Sequence, residues 1–290
     1  MQKQSFPHVF LVAIAACCVF RAVAESAPPT GPSLSDLTIW DDGLSEMSYF
    51  HASDTIYGVD RAYTRVLLVN RQWMSAESGI KVEPDAPQAL PVFKINLSEQ
   101  IPTENYNYRY LVSVFLERPL LVPFKLAASS QEWCGMTYKH MRWYDDKVTL
   151  QSFSYYDKQG DRSWTLAGSA MPYEALLLVA RDVVARGEAR DLMVLAPART
   201  SRAADPTVRT ARMIPGRTES ISVPGGKFDT VRVRLEWDGV PTEFHVASTP
   251  PFLLVRYQTG DARGDLALIE RRAYWDRASR SRFYAAGQAP

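Results

Sequence analysis

The sequence predicts a mostly β protein: a large antiparallel sheet, an open barrel or β-roll, with one main helix near residues 172–182. Three observations predict it. Short runs with a two-residue period recur along the chain, most clearly at 230–237. There Val231, Val233, Leu235 and Trp237 alternate with Arg232, Arg234 and Glu236, the pattern of a half-exposed antiparallel strand. The runs are rich in β-branched and aromatic residues and are separated by Asp-Gly, Gly-Gly and Pro-containing turns. Only 172–182 has a helix-like composition, so helices and strands do not alternate as they would in an α/β protein.

Taken in order, 37–40 and 44–51 are β-prone runs around an Asp41-Asp42-Gly43 turn. Residues 61–70 form a strand with Ala62, Thr64, Val66 and Leu68 on one face and Tyr63, Arg65, Leu67 and Val69 on the other. A polar, Pro-containing loop at 75–91 precedes strands at 92–97 and 108–117. A central meander follows at 124–130, 131–144 and 147–156, with Asp145-Asp146 turning the last pair. Pro172 starts the helix, which is rich in Ala and Leu, and Gly187 ends it. Residues 192–195 return to strand, and 197–216 read as a loop of Arg, Ala, Pro and Thr. The last strands fall at 230–237, 242–247, 252–257 and 266–275.

At 290 residues the chain can bury a full core, and its ordinary apolar and charged fractions exclude global disorder. The net charge of +1 hides an asymmetry, because from Arg199 onward basic residues outnumber acidic ones by 5. Their interleaving with carboxylates reads as a solvated strand face. Residues 1–24 have the organisation of a signal peptide: Lys3, an apolar stretch from Val9 to Phe20, and the small-residue site Ala22-Val23-Ala24. A second reading competes, because Ile14-Ala15-Ala16-Cys17 has the form of a lipobox, in which Cys17 becomes the lipidated N-terminus. Either way the chain is expected to be exported, to the periplasm or as a lipid-anchored envelope protein. Residues 25–36 are a flexible tether. Residues 37–277 are the β domain, with a seam at 197–218 if the chain divides, and 278–290 a frayed tail.

The most particular stretch is Gln131-Glu132-Trp133-Cys134-Gly135. Cys134 is the only cysteine beyond the leader, an unpaired thiol if the chain is exported. As a catalytic pair, Cys134 would be the nucleophile and Glu132 its helper on the same strand face. His140 lies on that face too, but roughly 20 Å along the strand, so a base would have to come from His51 or His245. The favoured reading is packing, with Cys134 and Trp133 buried on opposite faces of one strand and Gly135 permitting a close backbone approach. Trp133, Gln131 and Trp143 are the candidate binding residues. The sequence has no phosphate loop, zinc spacing or nucleophile elbow, so no metal and no cofactor are expected. Near-neutral charge argues against nucleic acid.

Two parts of the chain resemble known families. Trp40-Asp41-Asp42-Gly43-Leu44-Ser45-Glu46, Tyr57-Gly58, Pro91-Val92-Phe93-Lys94-Ile95-Asn96 and Ser130-Gln131-Glu132-Trp133-Cys134-Gly135 resemble a group of uncharacterised bacterial envelope proteins. Some of that group carry the label septum formation inhibitor Maf, although the α/β alternation and Ser-x-Arg-Arg motif of the nucleotide pyrophosphatases of that name are absent here. Residues 222–275, with Gly226-Lys227-Phe228-Asp229-Thr230-Val231-Arg232-Val233, resemble the end of another exported all-β family. These resemblances imply an envelope location and a β fold, and bring no activity. The expectation is a non-catalytic binding or assembly module for an envelope lipid, glycan or protein, touching a membrane only through a lipid anchor. A thiol enzyme centred on Cys134 is the alternative.

Overall fold

The computed structural model describes residues 31–118 and 120–283. The leader, with Cys17 and both of its processing readings, lies outside the described residues. The first meander comprises β1 (Ser45–Ile56), β2 (Val59–Ser75), β3 (Ala89–Ile101), β4 (Tyr108–Glu117), β5 (Val122–Glu132), β6 (Gly135–Trp143), β7 (Lys147–Ser154) and β8 (Arg162–Ala167). Next come a two-residue strand β9 (Met171–Pro172), a 3-10 turn (Tyr173–Ala175) and the helix α1 (Leu176–Arg186). The second meander comprises β10 (Arg190–Leu195), β11 (Val208–Val223), β12 (Gly226–Trp237), β13 (Thr242–Ala247), β14 (Leu254–Thr259), β15 (Ala262–Arg272) and β16 (Arg282–Phe283).

The fold is mostly β, one open and largely antiparallel sheet of 16 strands. The two meanders join where β1 pairs with β15, from Ser45 opposite Arg272 to Ser53 opposite Arg263. The β9–β10 pair alone is parallel. Over much of β3, β4 and β5 every second residue is buried. On β2 the buried residues include Tyr63, Arg65, Leu67 and Val69, and on β3 they include Ile95, Leu97, Glu99 and Ile101.

The helix lies against this buried face. One apolar cluster joins Leu176, Leu178, Val179 and Val183 to Leu97 and Val112 of the first meander and to Met213, Val233 and Phe244 of the second. Both halves of the sheet therefore curve around α1, which explains why the helix is buried on nearly every side. Pro172 sits at its entry, and Gly187 stops it in the left-handed region at φ 72°.

Because the strands alternate in direction, the turns segregate to two ends. One end, the mouth, gathers the turns at 57–58, 102–107, 133–134, 155–161 and 260–261, with the segment 196–207. The other end, the base, is closed by residues 33–41. Trp40 is buried there and donates from Nε1 to the Leu34 carbonyl, and Asp182 accepts from Leu34 N and Ser33 Oγ.

Several local expectations need correction. Residues 38–41 form a 3-10 turn, not a strand, because Trp40 folds back onto Leu34. Of the expected loop at 197–216, only the part to 207 is irregular. Residues 208–223 are β11, with Pro215 and Gly216 accommodated at a register shift. Strand β8 is an addition on the sheet edge, where Trp164 and Leu166 are only partly buried and the alternation is weak. Finally, 131–144 is not one strand: it breaks at Trp133-Cys134, the two-residue tip between β5 and β6.

Candidate functional site

The mouth is crossed by residues 196–207, a strap pinned along its length by both side-chain and backbone bonds. Lys139 on β6 donates to Ala198 O, Thr200 O and Thr200 Oγ1 at 2.9, 3.1 and 2.6 Å. Burial depresses its ammonium to about 8, against the pull of Glu174. Thr137 donates to Ser201 O, Tyr110 shares a hydrogen bond with Ser201 Oγ, and Gln159 accepts from Ala203 N.

Beneath the strap lies a charged cluster. Glu99 receives Arg65 Nε at 2.5 Å and Arg199 Nη1 at 3.0 Å, while Arg199 Nη2 reaches Asp54 at 2.7 Å. Burial works against the charges of Arg65 and Arg199, but Glu99 together with the neighbouring phenols and, for Arg199, Asp54 outweighs it, and both guanidinium groups end above their ordinary value. Two cations thus meet two carboxylates, and neither guanidinium is left over. Arg65 also stacks over the Tyr257 ring at 4.5 Å.

A cavity of about 260 Å³ opens beside this cluster, walled by Arg65, Tyr173, Glu174, Arg199, Thr200, Tyr257 and Thr259. Its floor is apolar: Leu97, Leu177 and Phe244. Leu97 lies two residues farther from the mouth than Glu99 on β3, so the polar groups stand at the entrance and the apolar ones below. Pro197 and Thr200 of the strap border this cavity and a second one of about 240 Å³, which reaches Met141, Leu150 and Trp164.

Besides Arg65 Nε, which is ion-paired with Glu99 but not hydrogen-bonded, two polar groups of the first cavity have an atom with no hydrogen-bond partner among the described residues. Tyr257 is 2% exposed and its hydroxyl is unbonded. Burial holds this phenol far above its ordinary value, so it is an unspent donor. Its ring lies over the backbone of Gly264, where a Cβ would come within 2.2 Å of it. Glu174 accepts from Arg199 N through Oε1 at 2.8 Å, while Oε2 is buried without a bond. Burial raises the Glu174 carboxyl above its usual range, against nearby backbone N–H groups and Lys139. A buried polar atom without a partner is costly, and such atoms cluster at working sites.

The residues singled out in the sequence fall elsewhere. Cys134 and Trp133 form the exposed β5–β6 tip, Trp133 at 85% exposure, rather than the buried strand pair expected. The chain reverses at this tip beside Gly135, whose backbone lies against the Tyr155 ring with no room for a Cβ. The thiol meets the Tyr106 hydroxyl at 2.8 Å, and Glu132 accepts from Tyr106 at 3.5 Å. That bond to Cys134 raises the Tyr106 phenol, which keeps it protonated and no base for the thiol.

No hydrogen bond joins Cys134 to His51, His140 or His245; His51 is exposed on β1, and His245 faces Glu219 at 3.3 Å. Gln131, Glu132 and Trp133 do share a cleft at the rim with Tyr106, Asn107 and Arg109. Trp143 is not part of it. It is buried at the base end of β6 and donates to Ala170 O at 2.8 Å.

No family model matches the chain, and no curated protein matches it. The fold is that of a mostly β protein built on one open, largely antiparallel sheet. Among solved structures, it is similar to a β-barrel-like protein of a domain of unknown function, DUF1849, from Brucella abortus. That likeness covers 78% of this chain and 97% of that chain, at 10% identity and a TM-score of 0.48.

Proposed function

We propose that the protein is a non-catalytic binding module of the cell envelope that takes one small amphipathic molecule into the cavity beneath the strap. The observation that carries this reading is the buried Tyr257 hydroxyl, an unspent donor in the wall of a cavity with an apolar floor. The cavity is at the small end of the range for ligand sites. A short apolar tail would rest on Leu97, Leu177 and Phe244, with the head at Tyr257 and Glu174. Because Arg65 and Arg199 are already matched by Glu99 and Asp54, the head is neutral: a hydroxyl, amide or ester, not a phosphate. A lipid-like molecule of this kind suits the exported location that the leader supports, whether the chain is anchored through Cys17 or cleaved after Ala24.

The thiol-enzyme reading has less support, since Cys134 stands exposed beside a phenol and a carboxylate, with no histidine hydrogen-bonded to it among the described residues. The test is titration with N-phenyl-1-naphthylamine, followed by fluorescence. Saturable binding to the wild type is expected. It should be lost in Ala262→Trp, which fills the entrance, and weakened in Tyr257→Phe. No saturable binding, or equal binding in all three proteins, would refute the proposal.

A further inference from the structure

The rim of the mouth holds a second set of groups that the interior cavity does not use. Trp133 projects from the β5–β6 tip at 85% exposure, with one face of its indole stacked on Tyr106, centroids 5.8 Å apart and planes 24° apart. Tyr106 in turn packs at 5.5 Å on Tyr108, whose hydroxyl bonds to that of Tyr57 at 2.8 Å. The indole is therefore held in place from behind while its outer face is open. A Trp-Cys pair has no turn-forming preference, so local backbone requirements do not account for an indole at this tip.

Beside the indole, Arg109 and Gln131 are cross-strand neighbours on the outer side of β4 and β5. With Asn107, Glu132, Tyr106 and Trp133 they line a cleft of about 290 Å³. The side chains of Asn107, Arg109 and Gln131 make no hydrogen bond or ion pair among the described residues. Two amides and a guanidinium thus offer donors and acceptors in flat arrays around an open aromatic face. Arg109 and Glu132 cancel in charge, which disfavours a strongly ionic ligand.

We infer that this rim cleft is a binding site for a neutral saccharide. A sugar ring has a C–H face to lay on the indole of Trp133 and adjacent hydroxyls that both donate and accept, which matches Asn107, Arg109 and Gln131. The site is independent of the interior cavity. It uses different residues, lies outside the strap, and takes a ligand without a tail.

Saturation-transfer NMR with chitotriose, maltotriose and cellotriose on the full chain tests it. At least one trisaccharide is expected to receive saturation at its ring C–H protons. Affinity should fall about tenfold or more in Trp133→Ala, as for loss of an aromatic anchor, and more modestly in Gln131→Ala. Because Trp133 is exposed, the alanine variant should keep the wild-type melting temperature and still bind N-phenyl-1-naphthylamine. That separates failure of this site from failure of the cavity. Absence of transfer to all three sugars at millimolar concentration would overturn the inference, as would transfer that Trp133→Ala leaves unchanged. Selective binding of a short peptide at the same residues would replace the saccharide with a protein partner.

Discussion

The molecule buries arginine–carboxylate clusters at both of its ends, and they differ in one respect. At the base, Arg181 is fully buried and meets both oxygens of Glu46, at 2.6 and 3.0 Å, while donating to Phe252 O and Pro251 O. Both carboxylate oxygens are occupied, and the helix is tied to β1. At the mouth, Arg65, Glu99, Arg199 and Asp54 also pair their charges, yet Tyr257 and one oxygen of Glu174 beside it have no hydrogen-bond partner among the described residues. Burial and charge pairing alone do not distinguish a structural cluster from a functional one. What marks the mouth is unspent hydrogen-bonding capacity in the wall of a cavity with an apolar floor.

That contrast is open to attack by mutation. Arg181→Met strands the Glu46 carboxylate in the core and should cost about 3–5 kcal/mol in thermal or urea denaturation. Arg199→Met should cost clearly less, since Glu99 keeps Arg65 and Asp54 is partly exposed. Equal losses would erase the distinction between the two ends.

The pH dependence sharpens it. Burial raises the Glu174 pKa above the ordinary 4.5, with Lys139 and the Arg199 backbone facing it. A raised carboxyl contributes stability that is fully present below about 4.5 and is lost as pH rises through its folded value. Wild-type stability relative to Glu174→Gln should therefore fall on going from pH 4 towards neutrality, with other titrations cancelling in the difference. A difference that rises with pH would contradict the assignment.

Tyr257→Phe removes an unsatisfied hydroxyl, so the unliganded protein should hold its stability or gain about 1 kcal/mol while ligand affinity falls. The smallest effect belongs to Cys134→Ala, expected within about 0.5 kcal/mol of the wild type for an exposed site. Iodoacetamide should alkylate native Cys134 at a rate close to that in denaturant.

Much of the fold was legible in the sequence because strand alternation is a local signal. Residues 108–117 and 242–247 were placed at the bounds seen for β4 and β13, and the helix start and stop were readable from Pro172 and Gly187. The site was less so. In the sequence Arg199 is only part of a loop, because its partners Asp54 and Glu99 lie 145 and 100 residues away. Glu174 in a first helical turn looks like any acid placed against the helix dipole. Tyr257 looks like any strand aromatic until Gly264 and Arg65 are seen around it. The misreading of Trp133 and Cys134 had a physical source: β-prone residues sit where the chain reverses, so propensity favoured a continuous strand.

The most direct test of the central claim is native mass spectrometry of the full chain released from its host envelope without detergent, wild type beside Ala262→Trp. The account predicts a small-molecule adduct of one copy per chain on the wild type and a bare mass for the variant. Bare masses for both, or the same adduct on both, would contradict it.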